Sequence, residues 1–442
     1  MNMAKSIDLW SSFPQDKRDE YIKFLEIFGA LSGLFKDTEA GSSADKPYLY
    51  YRNHEQLFAR VFDVEDLTRK DSAFDAIAKM GKNRIGVGLK TWIHSRDKTF
   101  QKVAEFNKVA PTEIRPLIDK GTALDVVKKV ALLRNKRIEL DQRTYKTTHT
   151  IYHNITRDSN VMNIVECNYD LIDLNSIKLI SVNENKGVFN FKDKNKKYKF
   201  YVSKSVLLQE FDASKELIVT KIPITQYKDP FDLLSYIHVT NSSVNKLAPL
   251  KEKIEDPKKT IYLPIYSDSS MKVEEKSGFN AWNAAPKIKG SNKPRPDFEA
   301  YIPIPIWIHH IFPHFFGFNA LDKEERNAAK GFELQLPDDR IITAIVTQDN
   351  GKGLQTNPQS ILGKWILHDV FGLEARQLLT LDMLNELGVD SVKVTKVSDA
   401  KFKIDLADTY SFEQWKLGLK TQIENCDDIK QKPKFRDDLI EE

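Results

Sequence analysis

Between residues 71 and 105 the chain carries an acid, a tight turn and a lysine in an order that leaves few folds open. Asp75 comes first, and Gly81, Lys82 and Asn83 then supply turn chemistry. Ile85, Val87 and Leu89 alternate as a short apolar strand that ends in Lys90, so the pleat fixes the direction of the lysine. The segment TFQKVAEFNKVA reads as a helix with Gln101 and Glu105 about one turn apart on a shared face. An acid, a strand-end lysine and a nearby helical acid suit a divalent cation held against a phosphodiester. The lysine would steady the nucleophile or the charge of the transition state. Glu55, near the start of a helix expected over residues 53–62, could bind a second ion or orient water. Its plainer role is a first-turn glutamate favoured by the helix dipole.

The chain has 442 residues, which suggests two or three domains. Net charge is only +4, so any basic surface must be local. The two cysteines, Cys167 and Cys426, exclude a disulfide scaffold or a cysteine-based zinc site and fit a reducing, cytoplasmic setting. No apolar run is long enough for a membrane span, and the N-terminus lacks a signal-peptide core.

Apolar residues recur at helical spacing over 14–35, and Thr122 with Asp125 starts a third helix. From residue 163 to about 211 the pattern becomes strands, including a hairpin formed by GVFNF, KDKNKK and YKFYVS. Residues 241–295 are rich in Ser, Asn, Pro and Lys and read as irregular. A β-rich block follows over 296–408, opened by EAYIPIPIWI and carrying hairpins at FELQLP–IITAIV and VKVTKV–FKIDL. Short helices are expected near 360–370 and 381–387, the second ended by Gly388. The organisation expected is a domain over 1–245, a linker and arm over 246–295, a second domain over 296–410, and a helix with a tail over 411–442.

The stretch around Asp75 and Lys90 resembles the PD-(D/E)XK nucleases. YRNHEQLFARVFDVEDLTRKDSAFDA, GVGLKTW and QKVAEFNK are similar to the BisI-type enzymes, which cut DNA whose cytosines carry 5-methyl groups. The resemblance extends to His238-Val239, equivalent to a pair that touches methyl groups of a GCNGC-like site in that family. The C-terminal block resembles the DNA-binding half of NgoFVII-type restriction endonucleases, through SGFNAWNAAPK, EAYIPIPIWIHHIFPHFF, FELQLPDDR and TQDNGKGLQTNPQSILGKWIL. The resemblances imply an α+β nuclease domain followed by a β-rich, B3-like pseudobarrel whose two arms wrap the major groove. Arm residues 281–295 would bring Lys287, Lys289, Lys293 and Arg295 to phosphates. Arm residues 348–357 would bring Gln348, Asn350 and Asn357 to base edges. Those enzymes carry a phospholipase-D-like catalytic half, and this chain departs from them in having no HxK motif with the usual spacing.

One departure matters. Gly88 stands where the nuclease motif has an acid, so one metal ligand is missing, and Glu105 is the expected replacement beside Asp75. The implied function is a restriction endonuclease that needs Mg2+, with Mn2+ as an alternative, acting on methylated double-stranded DNA as a homodimer. One methyl buried on Val239 is worth roughly 0.8 kcal/mol, about a fourfold preference. Useful discrimination therefore needs several methyls and two subunits. The alternatives are a conventional restriction enzyme cutting unmethylated DNA and a non-catalytic B3-like DNA-binding protein. The lysine run over 192–199 reads as a solvated turn that could still touch phosphate. His149 and His153 have metal-ligand spacing only on a helix, and Thr150, Ile151 and Tyr152 favour a strand there.

Overall fold

The alternating apolar residues before Lys90 do build a strand, and it runs past the lysine. In the computed structural model, which describes residues 8–34, 45–68, 72–183, 187–226, 229, 231, 234, 259–286 and 292–436, Lys90 lies inside a strand of eleven residues. Contacts divide the chain into two units, Met1–Lys251 and Glu252–Glu442.

The first unit opens with helices α1 (Leu9–Ser12), α2 (Gln15–Ala30) and α3 (Tyr51–Phe62). Strands β1 (Glu65–Asp66), β2 (Ala76–Met80), β3 (Asn83–Ile93) and β4 (Lys98–Glu105) follow, then α4 (Arg115–Lys120) and α5 (Ala123–Tyr145). Seven more strands complete it: β5 (His149–Asp158), β6 (Val161–Asn168), β7 (Lys178–Asn183), β8 (Val188–Lys192), β9 (Lys197–Tyr201), β10 (Val206–Asp212) and β11 (Ile218–Pro223). They form two sheets, ordered β1-β2-β3-β5-β6-β11 and β4-β10-β9-β8-β7. β2 and β3 make the expected hairpin around Gly81, whose φ of 59° suits glycine. β3 then runs parallel to β5, a pairing that needs a long crossover, and α5 lies in that crossover.

One face of the first sheet, carrying Ile85, Val87, Leu89, Ile151 and Ile155, packs on α2 and α3 through Tyr21, Leu25, Leu57 and Phe58. The opposite face, with Trp92 and Tyr152, packs on Ile138 and Tyr145 of α5 and on Phe211 of the second sheet. α5 also buries Val126, Val127, Val130 and Ala131 against Phe189, Phe191, Tyr198 and Phe200 of the second sheet. Its start is a reciprocal cap: Thr122 Oγ1 accepts the Asp125 amide, and the Asp125 carboxylate accepts the Thr122 amide.

Residues 98–105 correct the sequence reading. They form β4, not a helix, and pair with β10 from Lys98↔Asp212 to Glu105↔Val206. Gln, Lys, Ala and Glu favour a helix only weakly, and pairing along a whole strand outweighs that preference.

The second unit is a seven-stranded sheet of β12 (Thr260–Pro264), β13 (Ile302–Pro303), β14 (Phe332–Gln335), β15 (Ile341–Thr347), β16 (Gly353–Thr356), β17 (Val389–Ser398) and β18 (Lys401–Asp408). Its order is β12-β17-β18-β14-β15-β16-β13, and the two end strands approach each other, so the sheet is nearly closed and barrel-like. Phe315, Phe316, Phe332 and Phe402 pack ring to ring within it. The hairpins β14–β15 and β17–β18 lie where alternation places them, and Gly388 ends the helix Leu381–Leu387 at φ 74°. Two expectations fail. Residues 260–264, read as irregular, form β12 with Ile261 and Leu263 buried, and IWIHHI at 306–311 is a helix turning Trp307 and Ile308 inward. No helix among the described residues is long and apolar enough to cross a membrane.

Candidate functional site

Asp75 enters its position through a loop fixed on both sides. Asp141 of α5 accepts the Ala73 amide at 2.5 Å and the Ser72 hydroxyl at 3.2 Å, and Phe74 is fully buried. The Asp75 amide then donates to Val87 O at 2.9 Å, which starts the β2–β3 ladder. The ladder carries Ala76 opposite Val87, so Asp75 stands opposite Gly88 and on its face of the sheet. The Asp75 carboxylate accepts the Leu89 amide at 2.6 Å, which holds one oxygen and the side-chain direction. Lys90, two residues beyond Gly88, shares that face and is half-buried.

Glu55 lies on α3, near enough to Asp75 and Lys90 for their charges to act on it. Its carboxyl is pushed up to about 7, first by burial and next by the negative charge of Asp75, while Lys90 and Arg52 act in the opposite direction. Glu55, on a helix, is therefore acted on by charges carried by the loop before β2 and by β3. His54, the neighbour of Glu55, is buried and held well below the ordinary histidine range by that burial, by His153 and by Lys90. His153 lies on β5, Nδ1 2.9 Å from Glu166 Oε1, beneath the rings of Trp10, Tyr21 and Phe58. HTIYH is a strand, as its β-branched residues require, and His153 is a packed core histidine.

The surroundings of Gly88 leave no room for the acid that the resemblance would put at this position. A Cβ there would lie 2.6 Å from the Tyr152 ring and 2.9 Å from the Tyr169 ring. Those rings stack with centroids 3.9 Å apart, and Tyr152 is the register partner of Gly88 on β5. The space that an acid would fill is aromatic packing.

Glu105 does not replace it. It is exposed at the end of β4 in the other sheet, with one oxygen 2.6 Å from Lys102 Nζ and the other 2.5 Å from Asn107 Nδ2. Gln101, assigned to the same helix face, lies on β4 too, so the expected displaced acid is withdrawn as a ligand. Among the described residues no group of three or more His, Cys, Asp or Glu side chains is arranged to hold a metal. Glu55 and Asp75 remain as a pair. A hard cation such as Mg2+ is commonly held by one or two carboxylates with waters and substrate phosphate, so the pair fits it. The upward pressure of Asp75 on Glu55 is the electrostatic sign of a place that favours a cation.

The residues assigned to DNA contact divide unevenly. His238, Val239, Lys287 and Lys289 lie outside the described residues. Lys293 is exposed. Arg295 is tied within its own unit: Nη1 lies 2.9 Å from Glu299 Oε1, which is buried, and Nε donates to Ala285 O at 2.9 Å. Its role as a free phosphate contact is corrected accordingly. The arm expected from 281 also begins with buried Ala281 and Trp282. Gln348 and Asn350 are exposed, at φ 68° and 58°, on the rim of a cavity of about 780 Å3 in the second unit. Asn357 is exposed after β16. Asp141 and the Tyr152–Tyr169 stack, which shape the site, carry no signal in the sequence because each acts through a long-range contact.

No family model matches this chain, and no curated protein matches it either.

Proposed function

We propose that the first unit is a metal-dependent endonuclease acting on double-stranded DNA, with the phosphodiester meeting Glu55, Asp75 and Lys90. What supports this reading is that the Leu89 amide fixes the Asp75 carboxylate on the face of β3 that carries Lys90, and that the charges of both act on Glu55 of α3, which is raised to about 7. The barrel-like second unit is proposed as the B3-like DNA-binding part.

Each residue has a distinct task. Asp75, fixed by the Leu89 amide, would offer its remaining lone pairs to a cation. Glu55 would hold the same cation as a carboxylate, which near neutral pH requires it to give up its proton. A Mg2+ ion held by the two would supply Lewis acidity and a bound water of lowered pKa. Lys90 places a positive charge where charge develops on the phosphoryl oxygens, an effect felt mainly in the transition state. Gly88 offers no carboxylate, so Glu55 and Asp75 would be the two that hold the ion.

The substrate proposed is a short GCNGC-like site containing 5-methylcytosine, cut by a homodimer because two strands must be broken at a symmetric site. The test is a digest of matched plasmids, methylated and unmethylated, with Mg2+ or Mn2+. Cleavage of the methylated plasmid alone supports the full reading. Cleavage of both plasmids points to a conventional restriction enzyme, and cleavage of neither removes the nuclease reading.

A further inference from the structure

The outer face of the second sheet in the first unit carries a row of lysines that its acids do not fully match. Phe189, Phe191, Tyr198, Phe200 and Leu207 turn inward onto α5, so the alternate residues of β8, β9 and β10 face outward. In register, Lys178 of β7 stands directly opposite Lys192 of β8, and Lys192 directly opposite Lys197 of β9. Three lysines thus form a row across three neighbouring strands, and all three are exposed. Like charges placed directly opposite oppose sheet pairing.

Three acids share this face. Glu210 lies 3.6 Å from Lys197 at one end of the row, while Asp212 lies 3.4 Å from Lys98 and Glu105 lies 2.6 Å from Lys102, both off the row. Among the described residues, no ion pair engages Lys178 or Lys192. Lys199, next on the same face of β9, rests 4.1 Å from the centroid of the Phe100 ring and adds a further positive charge.

We propose that this lysine row is a contact surface for the phosphate backbone of duplex DNA, separate from the Glu55–Asp75–Lys90 site. The inference rests on the reading that the chain engages DNA. Strands about 4.8 Å apart put the outer lysines of the row about 10 Å apart at their backbones. Each strand of a duplex offers a negative charge about every 3.4 Å of axis, so three flexible stems can each meet a phosphate. The row itself holds only ammonium groups, with no side-chain amide or guanidinium. It therefore supplies sequence-neutral holding, and base reading is left to other parts of the chain.

The test compares the full chain with the triple variant Lys178→Gln, Lys192→Gln, Lys197→Gln. Duplex binding is measured by fluorescence anisotropy over a range of salt. The slope of log K against log salt should become shallower by about 2.7, since each phosphate contact contributes about 0.9. Affinity at low salt should fall by at least about tenfold. The corresponding triple arginine variant should keep the wild-type slope, which shows that the face still folds. An unchanged slope in the glutamine variant overturns the proposal, as does absence of duplex binding by the wild-type chain. Phosphatidylserine vesicles form the second arm: row-dependent vesicle binding with an unchanged duplex slope also overturns it. A row-dependent slope without any Mg2+-dependent cleavage keeps the row and removes the nuclease reading. Cleavage with a row-independent slope does the reverse.

Discussion

Glu55→Gln separates the electrostatic strain of the acid pair from its use. An ordinary glutamate titrates near 4.5, while Glu55 is held up to about 7. Across that interval the folded chain keeps a proton that the unfolded chain has released. Stability from this group is therefore fully present below about 4.5 and is lost as pH rises through about 7. Felt in full, the gap would correspond to roughly 3 kcal/mol. Glu55 is only half-buried, and solvent screening reduces this to about 1–2 kcal/mol. Glutamine keeps the shape and removes the charge. Near pH 8 the variant should melt about 3–6 °C above wild type, and near pH 4.5 the two should coincide. Added Mg2+ should narrow or reverse the difference near pH 8, because only the wild type gains the ion at both carboxylates. Near-UV circular dichroism melts across this pH range, with and without Mg2+, make the measurement. A difference in melting that is the same at every pH would refute the reasoning, because it would show that the charge of Glu55 is not opposed in the folded chain.

The other predictions follow from the same geometry. Gly88→Asp, which restores the motif acid on paper, should destabilise the first unit by about 1–3 kcal/mol in denaturant titration, because its Cβ collides with Tyr152 and Tyr169. Normal stability with tighter Mg2+ binding would show that the tyrosine stack can yield. Glu105→Gln should leave calorimetric Mg2+ affinity on DNA unchanged, since that carboxylate serves Lys102 and Asn107; lost affinity would return Glu105 to the site. Val239→Ala should lower the preference for methylated DNA by about fourfold per methyl contact, and an unchanged ratio of cleavage rates would place methyl sensing elsewhere.

The hairpin at Asp75–Lys90 was legible because its information is local: alternation sets the strand, Gly81 sets the turn, and the pleat sets the face. The cap at Thr122 and the hairpins β8–β9, β14–β15 and β17–β18 were legible for the same reason. The failures are tertiary. Residues 98–105 have helix-favouring composition and became a strand because β10 offers a partner along their whole length. Thr260–Pro264 sits in a polar neighbourhood, yet its apolar alternation is claimed by β17. Gly88 was seen as a missing acid, but the reason lies in Tyr152 and Tyr169, more than sixty residues away. The same limit explains Glu55. Its plainer reading as a first-turn glutamate fails, because α3 begins at Tyr51 and carries no acid in its first turn, and the approach of α3 to β3 brings it under the influence of Asp75 and Lys90.

Single-turnover cleavage of cognate duplex with Mg2+ tests the central claim most directly, comparing wild type with Asp75→Asn and Lys90→Ala and measuring duplex affinity in parallel. Wild type should cleave. Both variants should lose at least about a thousandfold in rate while binding DNA within a few fold of wild type, since these groups act mainly on the transition state. A near wild-type rate from either variant, or no cleavage by the wild type on any duplex with Mg2+ or Mn2+, would contradict the assignment of Glu55, Asp75 and Lys90 to phosphodiester chemistry.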